Sequence, residues 1–289
     1  MRVSVGIFAH NEEGTIGEVI DAFLGQRTET SEIAEVIVVC CACTDRTLDI
    51  VKKVARADVR VRVLERERRE GKVAAINAFL AVARSEVVIV SGGDVIPEPH
   101  LVERLVHPIQ ADSRCAMTGA KVVSRVGKRT VTAMLHKMLW HLHHEVARIA
   151  PKLGETVALR RSMLPERLPP GVHCDEVLME SLVVSCGGTL AYVTGATVYN
   201  HPPRRLAGLY GQRRRIACQH ANAYSLLRYR PATARLRNIV AAVAVIVCRD
   251  SRSWLWLIGL AILEAIAKFH GHLDFRLGHR YRVWRPAGR

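Results

Sequence analysis

Within the first hundred residues, short apolar runs alternate with amphipathic stretches. That alternation restricts the chain to an α/β sheet flanked by helices, mostly parallel and doubly wound. Apolar runs at 3–8, 35–39, 59–64 and 86–90 predict strands, and 15–24, 44–55 and 72–83 predict the helices between them. In 15–24, Ile16, Val19, Ile20 and Phe23 recur at helical spacing. Thr44 or Asp45 suits the cap of the second helix.

The fourth run, Val87-Val88-Ile89-Val90, passes through Ser91-Gly92-Gly93 into Asp94-Val95-Ile96-Pro97. Asp94 therefore stands beyond the carboxyl end of a buried strand, where open α/β sheets hold their ligands. Two glycines allow close approach of backbone, and a carboxylate beside bare backbone suits a divalent cation bridging phosphates. An Asp leaving a strand also serves as an ordinary turn residue.

Beyond Pro97-Glu98-Pro99 the order is mixed. Helices are expected at 100–109, 131–149, 177–186 and 206–227, and strands at 115–123, 156–160 and 190–193. Two apolar stretches follow, 239–248 and 254–263. Each, at ten residues, is about 15 Å long as helix, against a hydrocarbon core of about 30 Å, so neither spans a bilayer alone. They are expected either as packing helices or as an interfacial anchor, the latter favoured by Trp254, Trp256 and flanking arginines. The expected division is 1–110, 111–235 and 236–289, the last a hydrophobic helical segment with a basic tail.

Of 289 residues, 49% are hydrophobic and the net charge is +15, a field that attracts anionic lipid, nucleic acid or phosphorylated small molecules. The arginine clusters at 204–215 and 276–289 flank the most apolar part, which favours a membrane surface over a duplex. With few aromatics and no recognisable nucleic-acid module, no nucleic-acid partner is expected. The eight cysteines lack disulfide-framework spacing and read as reduced cytosolic thiols. Met1 to Ile7 enters a strand directly, so no secretory leader is expected.

Six strings in order resemble the family-two inverting glycosyltransferases of the GT-A fold, in their membrane-associated subgroup. They are Phe8-Ala9-His10-Asn11-Glu12-Glu13, the run from Val38 to Thr47, Gly71 to Asn77, Gly92 to Pro97, Asp175-Glu176-Val177-Leu178 and Gln212-Arg213-Arg214-Arg215-Ile216. The similarity covers residues 3 to about 220, and more loosely the tail through Trp284. It implies a Rossmann-like central sheet with 1–110 as the nucleotide-sugar-binding half, 111–235 as the acceptor-binding and catalytic half, and a C-terminal hydrophobic helical extension.

The resemblance also implies site residues. Ala9, Asn11, Glu12, Cys40, Lys72, Gly93, Gln212, Arg214 and Arg215 fall at donor-binding positions. Asp94 falls at the metal position for Mg2+ or Mn2+, and His201 is a further candidate ligand. Asp175 is the expected base, with Glu176 beside it. Two departures stand out: relatives carry a uracil-binding carboxylate where this chain has Cys40, and a second metal-motif Asp where it has Gly92. Ile216 replaces the Trp associated with holding an acceptor chain, which argues against long-polymer synthesis.

The expected reaction moves a sugar from a nucleotide-sugar donor, expected to be UDP-linked, to an acceptor hydroxyl, lipid-linked or hydrophobic, at the inner face of the cell membrane. A nucleotidyltransferase on a similar sheet and a non-catalytic nucleotide-sugar-binding relative are the alternatives. No GxGxxG follows the first strand, which argues against a dinucleotide oxidoreductase. His136, His141, His143 and His144 on the helix at 131–149 are read as lining the acceptor side rather than as metal ligands.

Overall fold

The computed structural model describes residues 1–281 and 283. Trp284 and the arginines of the basic tail at 282, 285 and 289 lie outside the described residues. The chain forms two compact units. The first comprises Met1–Lys121, Leu153–Pro170 and Leu182–Tyr199; the second comprises Val122–Lys152, Gly171–Ser181 and the chain from Asn200 onward.

The first unit is built on an eight-stranded sheet. Its strands are β1 (Arg2–Ala9), β2 (Glu32–Cys41), β3 (Val61–Arg66), β4 (Val87–Gly92), β5 (Ile96–Pro97), β6 (Cys115–Ser124), β7 (Thr156–Arg160) and β8 (Thr189–Asn200), in the order β3-β2-β1-β4-β7-β6-β8-β5. Helices α1 (Ile16–Leu24), α2 (Thr47–Ala57) and α3 (Lys72–Val82) join the first four strands, and α4 (Leu101–Ala111) follows β5. β3-β2-β1-β4 is parallel throughout, the block that strand–helix alternation predicts. β7 against β4, β6 against β7 and β5 against β8 are antiparallel, so the whole sheet is mixed. Val3, Val5, Ile7, Val36 to Val39 and Val87 to Ile89 are fully buried, as continuous apolar strands covered on both faces should be.

Helices make up most of the second unit: α5 (Val131–Ile149), the start of α6 (Asp175–Ser185), α7 (Leu206–Leu226), α8 (Leu236–Arg249) and α9 (Trp254–Arg276). Leu135, Met138, Leu209, Ile246, Leu257 and Leu260 form its apolar cluster. α7 and α9 pack so closely at Gly271 that a Cβ there would lie 2.5 Å from the Arg214 carbonyl oxygen and 2.6 Å from Ala217 Cβ. Two ion pairs reinforce the contact, Arg213 with Glu264 and Arg214 with Asp274.

Three expectations about elements need correction. α6 begins at Asp175 rather than 177, because the two acids themselves occupy its first turn, where the helix dipole favours them. β8 has twelve residues rather than four; much of it is only half covered, so its apolar signal is weak. α9 has 23 residues rather than ten, since Glu264 and Asp274 interrupt the apolar run without interrupting the helix. Both carboxylates are paired with α7, which is how a helix this apolar accommodates them.

Candidate functional site

The parallel register brings one group of candidates to the carboxyl edge of the sheet. Ala9 pairs with Cys40 across β1 and β2, and Phe8 pairs with Gly92 across β1 and β4. The strand ends thus stand side by side at a spacing of about 4.8 Å. Gly93 donates its N–H to the Phe8 carbonyl at 2.9 Å, and its own carbonyl accepts from Thr15 Oγ1 at 3.0 Å. A Cβ at Gly93 would meet Ala9 Cβ at 3.1 Å and the Phe8 oxygen at 3.3 Å, so glycine keeps this edge tight. Asp94 follows, half-buried, before β5.

Both neighbouring exits turn through left-handed backbone, Asn11 at φ 56° and Ala42 at φ 48°. Such conformations cost about 1–3 kcal/mol for a non-glycine residue and persist where the surroundings impose them. Here the constraint is explicit. Asn11 Nδ2 donates to Thr44 Oγ1 at 3.0 Å and Asn11 Oδ1 accepts from the Thr44 N–H at 2.8 Å. The Glu12 N–H donates to Thr47 Oγ1 at 2.7 Å. Asp45 accepts from the N–H groups of Glu13 at 3.1 Å and Thr47 at 3.0 Å, so it orients the start of α2 as its sequence position suggests. Both ends of the Asn11 amide are engaged in shaping the loop. Lys72 opens α3 directly after Gly71, whose φ is 97°.

Cys40 is 1% exposed, so the β2 exit presents Cys41 and Cys43 to its surroundings instead. The Cys43 thiol donates to the Ala9 carbonyl at 3.8 Å. Hydrogen bonding from the Cys40 thiol, with backbone N–H groups of Asn11 and Cys41, draws the Cys43 thiol down to about 7, against the opposing effect of burial. The bond with Cys43 and burial push Cys40 up. The sequence pattern singled out Cys40 for its position, whereas the fold buries that side chain.

The second unit holds the other candidates. Asp175 is buried in the first turn of α6, with Glu176 half-buried beside it. One turn further, the fully buried Glu180 accepts from Lys152 Nζ at 3.4 Å and from the Tyr229 hydroxyl at 3.0 Å. Cys174 Sγ donates to Glu176 Oε2 at 3.6 Å. Burial, then the positive charges of Lys152 and Arg213, hold His143 and His220 down to about 3, with Glu176 acting in the opposite sense. At neutral pH both imidazoles are therefore uncharged. His136 is 2% exposed and accepts from Trp140 Nε1 at 3.1 Å through Nε2, so its Nδ1 carries the proton toward Ser124 Oγ at 2.7 Å. It is a packing histidine.

The guanidiniums expected to grip diphosphate are differently engaged. Arg214 makes two bonds to Asp274, at 2.7 and 2.6 Å, and Arg213 is paired with Glu264. Gln212 and Arg215 are half-buried on the same helix. His201 is exposed just beyond β8. No cluster of three or more His, Cys, Asp or Glu side chains able to hold a metal occurs among the described residues. A concavity of about 540 Å3, lined by Arg2, Glu35, Arg60, Arg62 and Arg84, lies at the opposite, amino-terminal edge of the parallel strands and contains no candidate residue.

The family model for glycosyl transferase family 2 matches residues 4–160. The chain belongs to that family. As a glycosyltransferase it has solved structural relatives, while no curated protein matches it. The mannosyltransferase PcManGT from Pyrobaculum calidifontis, in complex with GDP-Man and Mn2+, superposes with a TM-score of 0.67 at 20% identity, covering 95% of this chain and 87% of that one. Glucosyl-3-phosphoglycerate synthase from Mycobacterium tuberculosis, with Mn2+, UDP and phosphoglyceric acid, gives 0.53 at 25% identity over 75% of this chain and 76% of that one. The same synthase with Mg2+ and UDP gives 0.53 at 24% identity, covering 75% and 77%. These likenesses place the glycosyltransferase in the GT-A fold.

Proposed function

We propose that this glycosyltransferase inverts the anomeric centre, moving a sugar from a UDP-linked donor to the hydroxyl of a lipid-linked or otherwise hydrophobic acceptor. The observation that carries the donor half is the tight edge of Ala9, Gly93 and Asp94, where the β1 and β4 exits meet. Asp94 supplies one hard oxygen ligand, which fits Mg2+ or Mn2+ because such ions keep several waters and complete their shell with substrate phosphates. Bound there, the cation would offset charge on the departing diphosphate. Lys72, at a helix start, and Arg215 are the side chains we assign to the phosphates. With Arg214 engaged by Asp274, its role is to fix α7 rather than to grip donor.

Asp175 is assigned as base. It takes the proton of the acceptor hydroxyl while that oxygen bonds to the anomeric carbon and the bond to diphosphate breaks. The Lys152, Glu180 and Tyr229 network anchors the helix that carries it.

A hydrophobic acceptor and peripheral contact with an anionic membrane are supported by α9. Leu255, Ile258, Ile262, Ile266, Phe269 and Leu273 are between 43% and 68% exposed. At 100° per residue they fall within an arc of about 80°, opposite the buried Leu257, Leu260, Ala267 and Gly271. The segment Ser251–Arg276 is long and apolar enough to cross a membrane by length and composition. Its ion pairs with α7 occupy the other face, however, so we read the helix as lying along the surface. Exposed Arg252, Lys268, Arg276 and Arg280 suit anionic headgroups. Free cysteines suit the reducing, cytoplasmic side.

A thermal-shift panel of UDP-, GDP- and dTDP-sugars, with and without Mn2+, tests the reading. Stabilisation by a UDP-sugar that deepens with Mn2+ is expected. Indifference to every nucleotide sugar refutes it, and donor binding without turnover favours a non-catalytic relative.

A further inference from the structure

We infer that the connection from α7 to α8, with the outward face of α8, docks on an anionic phospholipid bilayer, at a surface separate from the one proposed for α9. From Ser181 to Arg249 the chain holds ten arginines and no aspartate or glutamate. Carboxylates for this stretch must therefore come from elsewhere in the chain. Arg213, Arg214 and Arg249 find theirs in Glu264, Asp274 and Glu145. Arg228, Arg230, Arg235 and Arg237 are exposed, and among the described residues no carboxylate pairs with any of them. The segment that carries them is nonetheless anchored. The Tyr229 hydroxyl donates to the buried Glu180 at 3.0 Å, and Asn238 Nδ2 donates to the Ala232 carbonyl at 3.0 Å. The Arg230 guanidinium lies over the Tyr224 ring, 5.5 Å from its centroid. Four guanidiniums are thus presented to solvent by a short, fixed length of chain.

Aliphatic side chains stand among these charges. Leu226, Leu236 and Val240 are 57%, 73% and 60% exposed. At 100° per residue, Leu236, Val240 and Ala244 fall within an arc of about 80° on α8, with Asn238, Ala242 and Ile246 buried on the other side. Ala242 packs with Val146, and Ile246 with Leu135 and Met138, so the buried side is the one against α5. Guanidiniums beside protruding aliphatics suit a bilayer, where the charges lie among the phosphates and the apolar tips enter beneath them. A nucleic acid would use the charges but leave those tips in water, and single strands are held through stacked aromatics. Here Tyr229 is engaged by Glu180 and Tyr224 lies under Arg230. The inference rests on the peripheral-membrane reading proposed above and adds a second point of attachment to it.

Sedimentation of the full chain with vesicles of phosphatidylcholine alone, or of equimolar phosphatidylcholine and phosphatidylglycerol, tests the surface. Binding to the anionic vesicles is expected, and it should weaken as salt rises. Each arginine at such a surface raises affinity about fivefold, so joint replacement of Arg228, Arg230, Arg235 and Arg237 by alanine should weaken binding on the order of several hundredfold. The urea midpoint should not move. Leu236→Glu with Val240→Glu should weaken binding likewise, and hydrogen exchange of the wild-type protein on vesicles should slow between residues 226 and 240. Undiminished vesicle binding in either variant overturns the inference. So does an oligonucleotide that displaces the vesicles and binds the Leu236→Glu, Val240→Glu protein as well as wild type, or a dimer that the arginine replacement dissolves. If wild type ignores the anionic vesicles, the peripheral-membrane reading fails and this inference with it. If Ile262→Glu with Phe269→Glu abolishes binding while the α8 variants keep it, this inference alone fails; the reverse result upholds it and removes the α9 contact.

Discussion

Arg214 and Asp274 give the sharpest division between holding the fold and holding the donor. The pair is lopsided: Asp274 is 4% exposed at the side chain and Arg214 is 38%. Removing the guanidinium in Arg214→Ala leaves a buried carboxylate with the Tyr281 hydroxyl at 2.8 Å as its remaining described hydrogen-bond donor. Breaking a buried pair in that sense costs about 3–5 kcal/mol. Removing the carboxylate in Asp274→Ala leaves an arginine that can turn to water, so only its charged hydrogen bonds are lost, about 1–3 kcal/mol, lessened by solvent screening. Urea denaturation should therefore rank Arg214→Ala below Asp274→Ala by about 2 kcal/mol. The guanidinium's hydrogen bonds hold the Asp274 carboxyl below the usual range, with burial acting against them. The pair's contribution is thus present above an unfolded pKa of about 3.9 and lost as pH falls through the lower folded value, so the gap from wild type should close in acid. Wild-type stability in Arg214→Ala, with a raised KM for donor, would refute the structural assignment and return this arginine to the phosphates.

Other perturbations test the remaining assignments. Asp94→Asn should abolish the Mn2+-dependent part of nucleotide-sugar affinity in calorimetry; undiminished metal enhancement would displace Asp94 as ligand. Asp175→Asn should lower kcat by about 10²–10⁴-fold with donor affinity kept, and normal turnover would remove it as base. Ile262→Glu with Phe269→Glu should abolish sedimentation with anionic vesicles and leave the urea midpoint unchanged, whereas retained binding would move the membrane contact off α9. Burial, then Arg213, holds His136 down to about 4. Its contribution to stability is full above about pH 6.5 and falls by about 1.4 kcal/mol per pH unit as pH drops toward the folded value. A urea midpoint that stays flat from pH 6.5 to 4.5 would contradict that.

What could be read from the chain divides along the range of the interactions involved. β1 to β4 with α1 to α3 were legible because short apolar runs mark the strands, while α1 and α2 carry one apolar face and α3 is largely apolar along its length, all local properties. β8 was read short because Thr189 to Gly195 are only half-covered or exposed and burial begins at Ala196, so the signal depends on neighbours that a local window does not see. α9 was truncated for a related reason. Glu264 and Asp274 look like the end of an apolar helix until their arginine partners, 51 and 60 residues away on α7, are known.

The site follows the same rule. The strand-end positions of Ala9, Cys40, Gly93 and Asp94 were fixed by local pattern, and the register sets them in one row. Which arginine is free to meet a phosphate was not, because in a chain with charge +15 the arginines outnumber the anions available, and only the fold determines which become paired. Of the basic run at 213–215, two guanidiniums are tied to α9. The run therefore belongs first to the packing of α7 on α9, and an arginine motif adjacent in sequence to a candidate site is an argument about phosphate only after its carboxylate partners have been counted.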